Sequence, residues 1–175
     1  MKTDKITLLV TAALMAAITC VTTMVIAVPS PAGGFIHPGD GFVLLSGILL
    51  GPFYGGLAAG IGSMLADLLL GYTSYALATF IIKCLAAVVG FYIYHLLQKN
   101  RMNRFISVIV SGVFGGIIVT GGYFIFESLL LGLGFATAVL NVPANLVQNV
   151  FGILISTILL PLLLKVPQIR SITER

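Results

Sequence analysis

The chain has 175 residues, of which 59% are hydrophobic and only 8% charged, with a net charge of +4. Soluble domains carry about 25% charged residues, so this composition excludes a water-soluble globular fold and points to a chain dissolved in a bilayer. The length suits one compact unit over residues 1–175 and leaves no room for an ATPase or another large soluble catalytic module.

A hydrocarbon core of about 30 Å needs about 20 apolar residues per helix. On that measure residues 6–28 form the first span, closed by Pro29-Ser30-Pro31 and Gly33-Gly34. This stretch is longer than the roughly 7–15 apolar residues of a secretory signal, so it is expected to stay as a helix. The next apolar run, from Gly39 to Leu70, is interrupted by Gly51-Pro52. Proline is accepted in a helix's first turn but disfavoured in its interior. The run therefore divides into a second span over residues 39–50, too short to cross untilted, and a third over 52–70. Residues 75–97, 105–131 and 141–164 complete the set.

Six spans put both termini on one side. Lys2, Lys5, Lys99, Arg101, Arg104, Lys165, Arg170 and Arg175 then all lie in the cytoplasm, and loops 29–38, 71–74 and 132–140 hold no Lys or Arg. That is the pattern of the positive-inside rule. The expected fold is an all-α integral membrane protein of six transmembrane helices with cytoplasmic N- and C-termini. The basic residues are topological; they form no face that could track a phosphate backbone, so no nucleic-acid partner is expected.

Cys20 and Cys84 lie apart in apolar runs and read as packing residues, neither a disulfide framework nor a zinc site. The sequence contains no Gly-x-x-x-x-Gly-Lys-[Ser/Thr], His-Glu-x-x-His or Cys-x-x-Cys. No metal, cofactor or enzymatic activity is expected, and active uptake would have to borrow energy from a partner or an ion gradient.

Ionisable groups inside a membrane are expensive and normally face a cavity or a partner. Asp40, Asp67, Lys83 and Glu127 all map to the outer half of the spans. Asn141, Asn145 and Gln148 fall at i, i+4 and i+7 on one helical face, with Asn149 beside them. The outer loops add His37, Tyr72 and Tyr75, and Tyr123 lies one turn before Glu127. Convergent polar groups with aromatic faces suit a pocket for a small, planar, polar molecule, open outward and closed below. The candidate substrate-binding residues are His37, Asp40, Asp67, Tyr75, Lys83, Tyr123, Glu127, Asn141, Asn145 and Gln148. Plainer roles compete for several of them. Asp67 and Lys83 could form a buried ion pair, Asp40 a solvated charge at a helix N-terminus, and the tyrosines an interfacial belt. His37 could be merely solvated. Glu127 has no partner among its sequence neighbours, which favours a ligand or gating role.

Small residues recur at i, i+4 in Ala12/Ala16, Ala13/Ala17, Gly51/Gly55, Gly56/Gly60 and Gly112/Gly116. Such faces let helices approach closely. The glycine pairs read as packing within the chain, whereas the alanine face of the first span could dock another membrane protein.

Two segments carry a resemblance. Residues 35–42 read Phe-Ile-His-Pro-Gly-Asp-Gly-Phe. Residues 49–68 contain Gly51-Pro52-Phe53-Tyr54-Gly55-Gly56 and end in Met64-Leu65-Ala66-Asp67-Leu68. With Tyr75 to Lys83, they are similar to the substrate-binding S components of energy-coupling factor (ECF) vitamin transporters, a likeness extending over roughly residues 5–165. The resemblance implies a six-helix subunit, not an enzyme, in a bacterial plasma membrane. It would bind a vitamin or precursor externally and work with a transmembrane coupling subunit and two cytoplasmic ATPases. It also implies that Ala12, Ala13, Ala16 and Ala17, matching the family's Ala-x-x-x-Ala motif, dock the coupling subunit. Among cargoes, the chain looks most similar to the hydroxymethylpyrimidine type, with pyridoxine, riboflavin and pantothenate behind. In that reading Glu127 or Asp40 accepts from a ring amino group, Asn145 and Gln148 read ring nitrogens, and Tyr75 or Tyr123 stacks. The rival classes are a self-sufficient ion-coupled carrier using Glu127 or Asp67, a lipid-modifying membrane enzyme and a purely structural subunit.

Overall fold

The computed structural model describes residues 5–31 and 33–173; Lys2 and Arg175 lie outside them. The main helices are α1 (Lys5–Val25), α2 (Asp40–Leu70), α3 (Thr73–Lys99), α4 (Arg104–Ile125) and α6 (Val142–Leu163). Short helices α5 (Phe135–Ala138) and α7 (Pro167–Thr173) flank the last of these. Five helical stretches are long and apolar enough to cross a membrane.

The α2 stretch supplies two crossings. Gly51 sits at φ 83 and ψ 176, a left-handed conformation that side chains resist. Pro52 then opens the second arm, where its missing N–H costs nothing. The arms fold back on each other so tightly that a Cβ at Gly55 would lie 2.2 Å from the Ser46 carbonyl. The split read from Gly51-Pro52 is therefore a helical hairpin, and the chain makes six crossings.

The first arm is short because it starts deep. Asp40 touches Lys83, ten positions after the start of α3 at Thr73, and its backbone packs on Gly152 of α6. An arm of about 11 residues covers about 16 Å, roughly half a bilayer core. Residues 26–31 and 33–39 lie above it. They form a small antiparallel hairpin of β1 (Val28–Pro29) and β2 (Phe35–Ile36), with Val28 opposite Ile36. The sequence read this segment as an external loop, and Val28, Pro29, Pro31 and Gly33 are exposed; its inner side, Ser30 and Gly33 to His37, forms a plug over the end of the bundle.

Close helix contacts explain the glycine pattern. A Cβ on Gly47 would lie 2.2 Å from the Ala87 carbonyl of α3, and one on Gly62 would lie 2.4 Å from the Ala16 carbonyl of α1. Ala12 and Ala16 accordingly pack against the apolar core. Of the four alanines expected to form a docking face, Ala13 and Ala17 are exposed and face outward.

Lys99, Arg101, Arg104, Lys165 and Arg170 share the end of the bundle where the α2 turn, α7 and the start of α1 meet around Leu8, Leu50, His95 and Thr173. This is the cytoplasmic end by the positive-inside rule.

Candidate functional site

Near the opposite end, the plug, α2, α3, α4 and α6 enclose a polar chamber. It is lined by Ser30, Gly33, Gly34, Phe35, Ile36, His37, Asp67, Tyr75, Thr79, Tyr123, Glu127, Asn141, Asn145 and Gln148. The cavity measures about 30 Å³, room for about two water molecules. The expected open pocket is thus roofed by the chain's own hairpin.

Each wall has a sequence reason. Helix α4 passes into one turn of π-helix, Phe126–Leu130, which carries Glu127 at 3% exposure. Insertions of this kind rotate side chains relative to the preceding helix and are frequent at functional sites. Glu127 Oε1 accepts from Asn141 Nδ2 at 2.8 Å and from the Tyr75 hydroxyl at 3.4 Å. Both partners lie on other elements, Tyr75 on α3 and Asn141 just before α6, so the residues around Glu127 in the sequence did not reveal them. Asn141 also clamps the plug: its Nδ2 donates to the Gly33 carbonyl at 3.1 Å, and its Oδ1 accepts from the Ser30 hydroxyl at 2.7 Å.

Tyr75, Thr79 and Lys83 stand at successive i+4 positions on one face of α3, all buried. Thr79 Oγ1 pairs with the Tyr123 hydroxyl at 2.9 Å. The burial of Tyr75 and Tyr123 excludes the interfacial belt for both. Their ring centroids stand 6.5 Å apart, and Phe126 lies 5.3 Å from Tyr75. Tyr72 and Phe35 extend this aromatic frame, their centroids 4.7 Å apart.

Beneath the chamber lies a second polar layer. Lys83, fully buried, pairs with Asp40 and not with Asp67. The expected Asp67–Lys83 pair fails because Asp40 starts so deep that it reaches the lysine first. Neither Asp40 nor Lys83 lines the chamber, so both leave the direct contact set; Lys83 Nζ also stands 5.4 Å from the Tyr123 ring centre. Gln148 joins the layers. Its Nε2 donates to Asp40 Oδ2 at 2.8 Å, and its Oε1 accepts from the His37 backbone N–H at 3.0 Å. His37 is buried as well, its Nδ1 accepting from the Gly39 N–H at 3.1 Å, so neither a solvated His37 nor a solvated Asp40 survives.

Asn145 lines the chamber, whereas Asn149 turns away to donate to the Gly116 carbonyl and to Thr120, tying α6 to α4. Sequence reasoning missed Ser30, Gly33, Phe35 and Thr79. Thr79 was findable from its i+4 spacing to Tyr75 and Lys83. The plug residues carried only the signal of a charge-free Pro/Gly loop between two spans.

Two carboxylate oxygens in this chamber have no donor among the described residues: Asp67 Oδ2 and Glu127 Oε2 are both buried. Unpaired buried acceptors are costly, and both belong to side chains lining the same small space.

Comparison with known proteins agrees with this architecture. Residues 3–165 match the family described as "ECF-type riboflavin transporter, S component". A protein of Pyrococcus woesei, described as "Uncharacterized protein in gap 3'region", is 39% identical over 137 residues, covering 77% of this chain and 86% of that protein. A solved structure described as "Structure and mechanism of the S component of a bacterial ECF transporter" superposes with a TM-score of 0.68. It is 16% identical, with 93% of this chain and 98% of that chain covered, a likeness of fold. The chain belongs to the family of ECF-type riboflavin transporter S components.

Proposed function

We propose that this chain is the substrate-binding subunit of an ECF-type importer. It captures a small heteroaromatic vitamin at the outer face and delivers it inward with a transmembrane coupling subunit and two cytoplasmic ATPases. The observation that carries the reading is the pair of unpartnered carboxylate oxygens, Asp67 Oδ2 and Glu127 Oε2, inside an aromatic-framed chamber. As it stands the chamber has room only for about two waters, so the ligand enters with displacement of the hairpin above it; a ring bearing N–H or O–H donors then satisfies both oxygens while its faces meet Tyr75 or Tyr123. Riboflavin, named in the family's description, is the first ligand to test. Hydroxymethylpyrimidine is the second, because its ring amino group suits Glu127. The exposed Ala13 and Ala17 form the surface for the coupling subunit, where small residues permit close helix approach.

The test is mass spectrometry of small molecules released from the purified chain, followed by binding and pull-down on two variants. Glu127→Ala weakens ligand binding by about 10- to 100-fold, the worth of one or two buried hydrogen bonds, and leaves assembly intact. Ala13→Trp blocks assembly and spares binding. An empty protein that gains no thermal stability from any vitamin, yet drives uptake that an uncoupler abolishes, would shift the assignment to an ion-coupled carrier.

A further inference from the structure

We infer that the chamber sorts its ligand by charge: it accepts a neutral or cationic, donor-rich molecule and refuses phosphorylated or carboxylated forms, with Asp67 setting that selectivity. This deepens the proposed function and rests on it.

The charge balance of the walls carries the inference. Asp67 and Glu127 line the chamber, and among the described residues no Lys or Arg does. The nearest buried cation, Lys83, lies a layer below and is engaged by Asp40, which also takes the amide of Gln148. The remaining polar lining is uncharged: the hydroxyls of Ser30, Thr79, Tyr75 and Tyr123, the amides of Asn141 and Asn145, and a His37 ring whose Nδ1 already accepts a backbone N–H. An anionic ligand would therefore meet two carboxylates and no free counter-charge, in a space where few waters are present to screen them.

The two carboxylates differ in kind. Glu127 Oε1 holds Asn141 and Tyr75, which tie Glu127 to the plug, so removing its charge also loosens the roof. Asp67 stands on α2, makes no hydrogen bond to the plug among the described residues, and leaves Oδ2 unpartnered among them at 4% exposure. Its charge is thus the separable element of selectivity. The aromatic frame of Tyr75, Tyr123 and Phe126 adds a preference of the same sign, since ring faces attract cations and repel anions.

The experiment compares matched pairs differing only in a phosphate ester: riboflavin and its 5′-phosphate, hydroxymethylpyrimidine and its phosphate, thiamine and its monophosphate. Affinities are measured on the full chain in nanodiscs, wild type and Asp67→Asn. The expected result is a parent compound bound at least about 100-fold tighter than its ester, with the gap narrowing about tenfold or more in Asp67→Asn. A merely structural Asp67 would weaken parent and ester together and leave their ratio unchanged. An ester bound within a few-fold of its parent, or a ratio indifferent to Asp67→Asn, overturns the inference. If no compound binds, the vitamin reading itself fails. The charge argument is then judged on the ligand-free protein: relief of an unpartnered carboxylate raises the thermal midpoint of Asp67→Asn, and an unchanged or lower midpoint overturns it.

Discussion

Replacing Lys83 with methionine tests the buried layer beneath the chamber. Lys83 is 0% exposed and Asp40 7%, so Lys83→Met strands a nearly buried carboxylate with no other ion-pair partner among the described residues. Breaking a buried pair by removing one partner costs about 3–5 kcal/mol. Asp40 keeps the Gln148 amide as a donor, which places this case near the lower end, at about 3 kcal/mol. The double variant Asp40→Asn, Lys83→Met removes the stranded charge and keeps the volume. Exchange of a buried ion pair for neutral groups is often close to neutral, so it should recover most of the loss. Equilibrium unfolding in mixed micelles, with the four proteins of the cycle side by side, reads both numbers. Two outcomes would refute the reasoning: a single variant within the ~0.5 kcal/mol typical of a surface change, or a double variant no better than Lys83→Met.

The α2 hairpin makes two glycines separable. Gly47→Ala drives a methyl group to 2.2 Å from the Ala87 carbonyl, so α2 must lift off α3 at an overpacking cost of about 1–3 kcal/mol or more. Gly51→Ala meets nothing within 4 Å but strains a backbone at φ 83 and ψ 176 that is nearly confined to glycine, about 1–3 kcal/mol; unfolding measurements in which Gly47→Ala costs less than ~0.5 kcal/mol contradict the close-approach account. Gln148→Met removes the bonds to His37 and Asp40 at nearly constant volume. Amide exchange over residues 28–37 should accelerate while exchange within α3 does not; equal protection in both proteins would mean that Gln148 does not hold the plug.

Much of the architecture was legible because hydropathy and charge are one-dimensional. The apolar runs, the Gly51-Pro52 break and the one-sided basic residues need no partner to be read. Depth was not legible in the same way. Nothing in Pro29 to Gly39 says that residues 33–37 fold over the polar ends of the helices, because a charge-free Pro/Gly stretch serves equally well as a loop held clear of them. That single missing fact misplaced Asp40 near the surface, gave Lys83 the wrong partner and left the chamber without a roof. The site residues themselves were found by type, since Asp67, Glu127, Asn141 and Gln148 are hard to bury without purpose. Their division into an upper layer around Glu127 and a lower one around Asp40 depends on which helices face one another, and helix spacing along the chain carries no such information. The π-turn at Phe126–Leu130 was similarly silent, because its apolar flanks continue the helical pattern on either side.

The turn at Gly51 also bears on how the chain enters the membrane. Apolar helices counted by length number five, an odd number that would leave the two termini on opposite faces and carry Lys165 and Arg170 across the bilayer. An arm of about 16 Å is too short to be recognised and released by the insertion machinery as a helix in its own right. Residues 40–70 must therefore insert as a pair, the second arm carrying the first, and parity is decided by one glycine able to reverse the chain. A residue that stiffened this turn would do more than loosen the fold. It would offer the nascent chain a straight helix, and every later segment would then be threaded with the opposite sense.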